Sequence, residues 1–187
     1  MSTLADCVSG SWSPTIGDPT LVGWFTVFFY LFAGILSAVL FARQSGRQRA
    51  FWLILATLLL LLAINKQLDL QSALTATGRC LSQAQGWYEQ RRTIQLVFIL
   101  AVVGISFVLA VVVSWMMRRE LRYIWLALTG LGFLLAFVVI RAAGFHHFDR
   151  LIGSQIGSVR VNWFLELGGI ALIIANAAYL LLQKRRD

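Results

Sequence analysis

The sequence predicts an all-α polytopic membrane protein: five transmembrane helices in one bundle, N-terminus outside and C-terminus inside, with a small extracytoplasmic cap. Three observations carry this. Hydrophobic residues make up 59% of the chain and charged residues 13%, whereas an ordinary soluble domain is about a quarter charged. Five apolar runs approach or exceed the ~20 residues that a helix needs to cross a ~30 Å hydrocarbon core. Lys and Arg gather at alternate ends of those runs. With 187 residues, a mean hydropathy of +0.77 and no internal repeat, the chain reads as a single transmembrane helical domain, 1–187.

The first twenty residues, MSTLADCVSGSWSPTIGDPT, contain no Lys or Arg and are not apolar. They read as a tail before the first span rather than as a secretory signal. Leu21–Ala42, Thr93–Met117, Tyr123–Ala142 and Trp163–Leu182 are long enough to span. The second span is the shortest, because FWLILATLLLLLAI runs only from Phe51 to Ile64 before Asn65. A re-entrant segment is its alternative. A span is preferred, about 51–70, since helical signals continue through KQLDLQSALTAT to Gly78, which reads as a C-cap.

Direction follows from the positive-inside rule. ARQSGRQR, MRRELR and QKRRD are short and dense in Lys and Arg, so they belong in the cytoplasm. The loops at about 66–92 and 143–162 carry sparser basic residues mixed with acids. Short loops and the lack of N-x-[ST] sites suggest a bacterial inner membrane. The net charge of +8 is therefore topological, and nucleic acid is not an expected partner. Cys7 and Cys80 both fall outside, where a disulfide can persist. Spacing leaves open whether they bridge or are unrelated.

The polar residues fall at similar depths. Along helices rising 1.5 Å per residue, Asn65 lies roughly 21 Å from Phe51, Glu166 about 24 Å from Leu182, and Arg141 about 27 Å from Tyr123. Lys66 and Asp69 follow Asn65, and Gln95 follows Arg91 and Arg92 into the third span. Asn162 shares a helix face with Glu166. These residues predict a buried polar network of Asn65, Asp69, Gln95, Asn162 and Glu166, because a charge in a bilayer normally faces protein or water. Arg141 and Glu166 are the expected ion pair. Asn176, deep in the last span, is expected to hydrogen-bond another helix, within the chain or in a partner.

Lys66, Arg91, Arg92, Arg141 and Arg150 outnumber Asp69, Glu89, Asp149 and Glu166 in this layer. Arginine's planar fork suits phosphate and carboxylate, so Lys66, Arg91, Arg92 and Arg141 are candidate anion-binding residues. The alternative is that they only pair with acids and bulk lipid. Trp87, Tyr88 and Trp163 flank the layer as an interfacial belt would. Above it lies GFHHFDR, with both histidines of the chain. His146, His147 and Asp149 are candidate ligands for a divalent transition metal, completed by Asp69 or Glu166. Their alternative is a set of interfacial polar side chains. Consecutive histidines do not suit a bis-histidine haem inside one chain. A Ser nucleophile is present only as GISF around Ser106, with no histidine on a second span.

Three function classes remain on this reading. The first is a binding protein whose outer layer holds an anionic lipid head group, a lipid-linked intermediate or a partner subunit. The second is an intramembrane metal-dependent hydrolase centred on His146, His147 and Asp149. The third is a small transporter or proton relay, which the nearly bare inner halves of spans one and three disfavour. Expected partners are membrane lipids and a membrane subunit or second copy.

Overall fold

The computed structural model describes residues 4–13, 19–68, 70–86, 91–143, 155–156 and 159–183. The described helices are α1 (Leu4–Ser11), α2 (Leu21–Arg43), α3 (Gly46–Leu68), α4 (Leu70–Ala84), α5 (Arg91–Met117), α6 (Leu121–Ala143) and α7 (Val161–Gln183). Five of them, α2, α3, α5, α6 and α7, are long and apolar enough to cross a membrane. Among the described residues the departure from helix is a two-residue antiparallel pairing just before α7, with Gln155 opposite Arg160 and Ile156 opposite Val159.

Local chemistry sets the helix ends. The Thr20 hydroxyl accepts from the Gly23 N–H at 3.1 Å, satisfying one of the unpaired donors that open α2. Gln44 closes it in extended backbone, and Gly46 at φ +58° makes the reversal into α3. A side chain at Gly46 would be strained in that left-handed conformation. α3 therefore begins five residues before the expected Phe51. Arg47, Gln48 and Arg49 lie in its first turn, where polar ends can reach past the apolar slab.

The expected C-cap at Gly78 is also corrected. Gly78 lies inside α4, which runs on to Ala84, and the left-handed glycine after it is Gly86 at φ +75°. A mid-helix glycine costs about 1 kcal/mol relative to alanine. Docking offsets it: Ala76 and Cys80, one turn apart and buried, belong to the helix that packs on α1. Cys7 of α1 and Cys80 of α4 form the disulfide, with S–S 2.06 Å and Cα–Cα 5.9 Å. Closing a loop of 73 residues restricts the unfolded chain and stabilises the fold by roughly 4 kcal/mol in chain-entropy terms.

The spans pack as two close pairs, α2 with α3 and α6 with α7, joined where α2 meets α7. Three helices bury residues at one spacing: Tyr30, Ala33, Ser37 and Leu40 on α2; Ile124, Ala127, Leu131 and Leu134 on α6; Ile170, Ile173, Ala177 and Leu180 on α7. That alternation of threes and fours is the seam of closely aligned helices. Phe51, Trp52, Leu55 and Leu59 of α3 fill the space against it. α6 and α7 approach until backbones touch. A Cβ built on Gly130 would lie 2.5 Å from the Gly169 carbonyl oxygen, so nothing larger than glycine fits unmoved. α5 stands at the side, mainly against α6.

The bundle thus has two distinct ends. One carries α1, α4 and the disulfide, and is called here the cystine end. The other carries the α2–α3 and α5–α6 turns and is rich in arginine.

Candidate functional site

At the cystine end, the second turn of α7 places Glu166 inside the bundle, 2% exposed. An isolated carboxylate there would be costly in a low-dielectric setting. Two other spans supply its partners. Tyr30 of α2 donates its hydroxyl to Oε1 at 3.2 Å. Lys66 of α3 donates Nζ to Oε2 at 3.2 Å, forming an ion pair whose lysine is also largely covered. Each carboxylate oxygen so receives one donor, and three helices are fixed to one another at a single point. Arg141, half-buried in the last turn of α6, is close enough to act electrostatically on the Tyr30 phenol. All four helices of the two close pairs contribute to the cluster.

The residue after Lys66 differs from these. Both polar atoms of the Gln67 side chain, Nε2 and Oε1, are buried and meet no hydrogen-bonding partner among the described residues. A buried amide left this way forfeits about 1–3 kcal/mol.

The expected residues divide accordingly. Lys66 and Glu166 come together, although the acid had been matched to Arg141; its ion pair is made by α3. Asn65 is half-buried on α3. Arg91, Arg92 and Gln95 lie in the first turns of α5, and Asn162 in the first turn of α7, but their side chains fall outside the described residues. Asp69, His146, His147 and Asp149 fall outside them altogether, so the metal candidate does too. Among the described residues no group of three or more His, Cys, Asp and Glu side chains could hold a metal ion.

Two features here were not expected, Tyr30 in the cluster and the orphaned amide of Gln67 beside Lys66 in sequence. Tyr30 had a signal: it heads the 30-33-37-40 seam and is that seam's long polar side chain. Gln67 continued the run Asn65-Lys66 and could have been taken with it.

Asn176 resolves within the chain. Its Oδ1 accepts from the Ala127 N–H at 2.9 Å and its Nδ2 donates to the Tyr123 carbonyl at 2.8 Å. Those two α6 groups are four residues apart, the spacing at which a helix bonds to itself. The amide is satisfied on both sides without water, as a membrane interior requires. In comparisons with known proteins, no family model matches the chain, and neither does any curated protein or solved structure.

Proposed function

We propose that this protein is a multi-pass inner-membrane protein of bacteria, N-terminus outside, whose polar cluster binds an anionic head group, either of a membrane lipid or of a lipid-linked intermediate. The orientation is supported by the arginine-rich turns at one end, which the positive-inside rule assigns to the cytoplasm. The disulfide at the opposite end fits an oxidising compartment. α1 and α4 then form the outer cap.

Gln67 carries the binding reading. Its amide needs one acceptor and one donor, and it neighbours a lysine already aimed at the interior. A head group with phosphate and hydroxyl oxygens supplies both, with Lys66 and Arg141 as nearby positive charge. The preformed Tyr30–Glu166–Lys66 contacts keep those groups in place before a ligand arrives.

The test is native mass spectrometry of protein purified from membranes in mild detergent. Gln67→Leu keeps nearly the same volume and is expected to retain the fold while losing co-purifying lipid roughly tenfold, the factor of a ~1.4 kcal/mol contact. Unchanged lipid retention in Gln67→Leu would mean that the amide makes no ligand contact, and the reading would fall.

A further inference from the structure

The arginine end carries a second site of a different kind. The α2–α3 and α5–α6 turns are far apart in sequence, yet Gln48 Nε2 donates to Glu120 Oε2 at 2.9 Å and ties them together. Around that contact stand Arg43, Arg47 and Arg49 from one turn and Arg118, Arg119 and Arg122 from the other, all exposed. Between residues 43–49 and 118–122 the only acid is Glu120, and Gln48 engages it. Six positive charges against one negative charge leave a net +5 on these two turns.

Three of these guanidinium groups rest on aromatic rings at the span ends. Arg49 lies 4.7 Å from the Phe41 ring centre, Arg118 lies 5.4 Å from Trp115 and Arg122 lies 4.5 Å from Tyr123. Arg122 also donates to the Tyr123 hydroxyl. A guanidinium stacked in this way has lost rotamer freedom already and keeps N–H edges for a planar, two-pronged contact with phosphate oxygens. Topology alone needs only charge on this side. It needs neither the stacking nor the bridge that joins the two turns.

We propose that the two turns together bind one phospholipid carrying two phosphates, a lipid of the cardiolipin class, with one phosphate on the arginines of each turn. The position selects a lipid over a soluble anion. The site lies at the ends of four apolar helices, where head groups are concentrated and the acyl chains can lie on exposed faces such as Leu53 and Trp125. A lipid with a single phosphate would engage one turn and leave the other unused.

The experiment uses purified full-length protein in phosphatidylcholine nanodiscs, titrated with cardiolipin or phosphatidylglycerol and read by native mass spectrometry. A Gln67→Leu background lowers any contribution from the cystine end, and the arginine variants, which leave that end untouched, read the arginine end whether or not the cystine end binds lipid. Cardiolipin is expected to bind at least tenfold more tightly than phosphatidylglycerol. Arg47→Gln with Arg49→Gln, or Arg118→Gln with Arg119→Gln, should each weaken it about 25-fold, roughly fivefold for each basic residue removed near an anionic surface. Gln48→Ala changes no charge and leaves the topology signal intact; it should reduce the preference for cardiolipin while phosphatidylglycerol binding holds. Equal affinity for the two lipids, an unaltered preference in Gln48→Ala, or displacement of cardiolipin by millimolar inorganic phosphate would each overturn the proposal.

Discussion

α5 and α7 are both membrane-spanning helices, yet they serve the bundle in opposite ways. α5 has the higher mean hydropathy, 3.2 against 1.9, but only 11% of its span is buried against 39% for α7. α7 is joined to its neighbours through Glu166, Gly169 and Asn176, which meet α2 and α3, the α6 backbone, and the α6 backbone again. Among the described residues no side-chain hydrogen bond links α5 to another helix. Its side chains at Leu100, Ile105, Phe107 and Val112 face outward. In lipid, apolarity gives no reason to prefer a protein neighbour over an acyl chain. Close backbone approach and buried hydrogen bonds decide which helix is central, and the least apolar positions of α7 supply both.

The comparison breaks first at glycine. Gly130→Ala puts a methyl group against the Gly169 carbonyl and is expected to lower unfolding stability in detergent by about 1–3 kcal/mol, as overpacking does. Gly132→Ala, two residues along the same helix, meets nothing within 4 Å and should be neutral or slightly stabilising, because alanine is the better helix former. Equal losses at both positions would show that the α6–α7 contact is not the determinant. Next comes Asn176→Leu, which removes both amide bonds to α6. A loss of about 0.6–1.7 kcal/mol is expected for such interhelical bonds, and no loss would mean that α6 re-forms its own bond fully. The smallest effect belongs to α5: Phe107→Ala should stay within about 0.5 kcal/mol of wild type, the range for exposed sites. A larger loss, measured in the same detergent, would mean that this face is covered.

How much of this was legible in the sequence depends on the physical signal. Five spans were, because length and hydropathy suffice to mark them. The start of α3 was not: the arginines that read as a loop sit in a helical first turn, which charge density cannot distinguish from a connection. The pairing of Cys7 with Cys80 was open until α1 was found packed on α4. The polar layer was legible as a depth, from counting residues along each helix. Depth says nothing of azimuth, however, so Glu166 was matched to Arg141 on the neighbouring helix in sequence. α7 also packs on α2, and that contact turns Glu166 toward Tyr30 and Lys66. Gln67 was missed because an uncharged amide at a helix end looks like solvent-facing surface.

Lys66 and Glu166 hold the two helix pairs together through a buried ion pair, and a double-mutant cycle measures that coupling directly. Equilibrium unfolding in detergent micelles would be followed for wild type, Lys66→Met, Glu166→Leu and the double variant. Lys66→Met leaves the buried Glu166 carboxylate without its ion-pair partner and should lose about 3–5 kcal/mol, and Glu166→Leu, which removes the contacts to both Tyr30 and Lys66, should also destabilise. The double variant should lose less than the sum, by a coupling of roughly 1–3 kcal/mol, as contacting residues show. Additive losses, with Lys66→Met within about 0.5 kcal/mol of wild type, would contradict it.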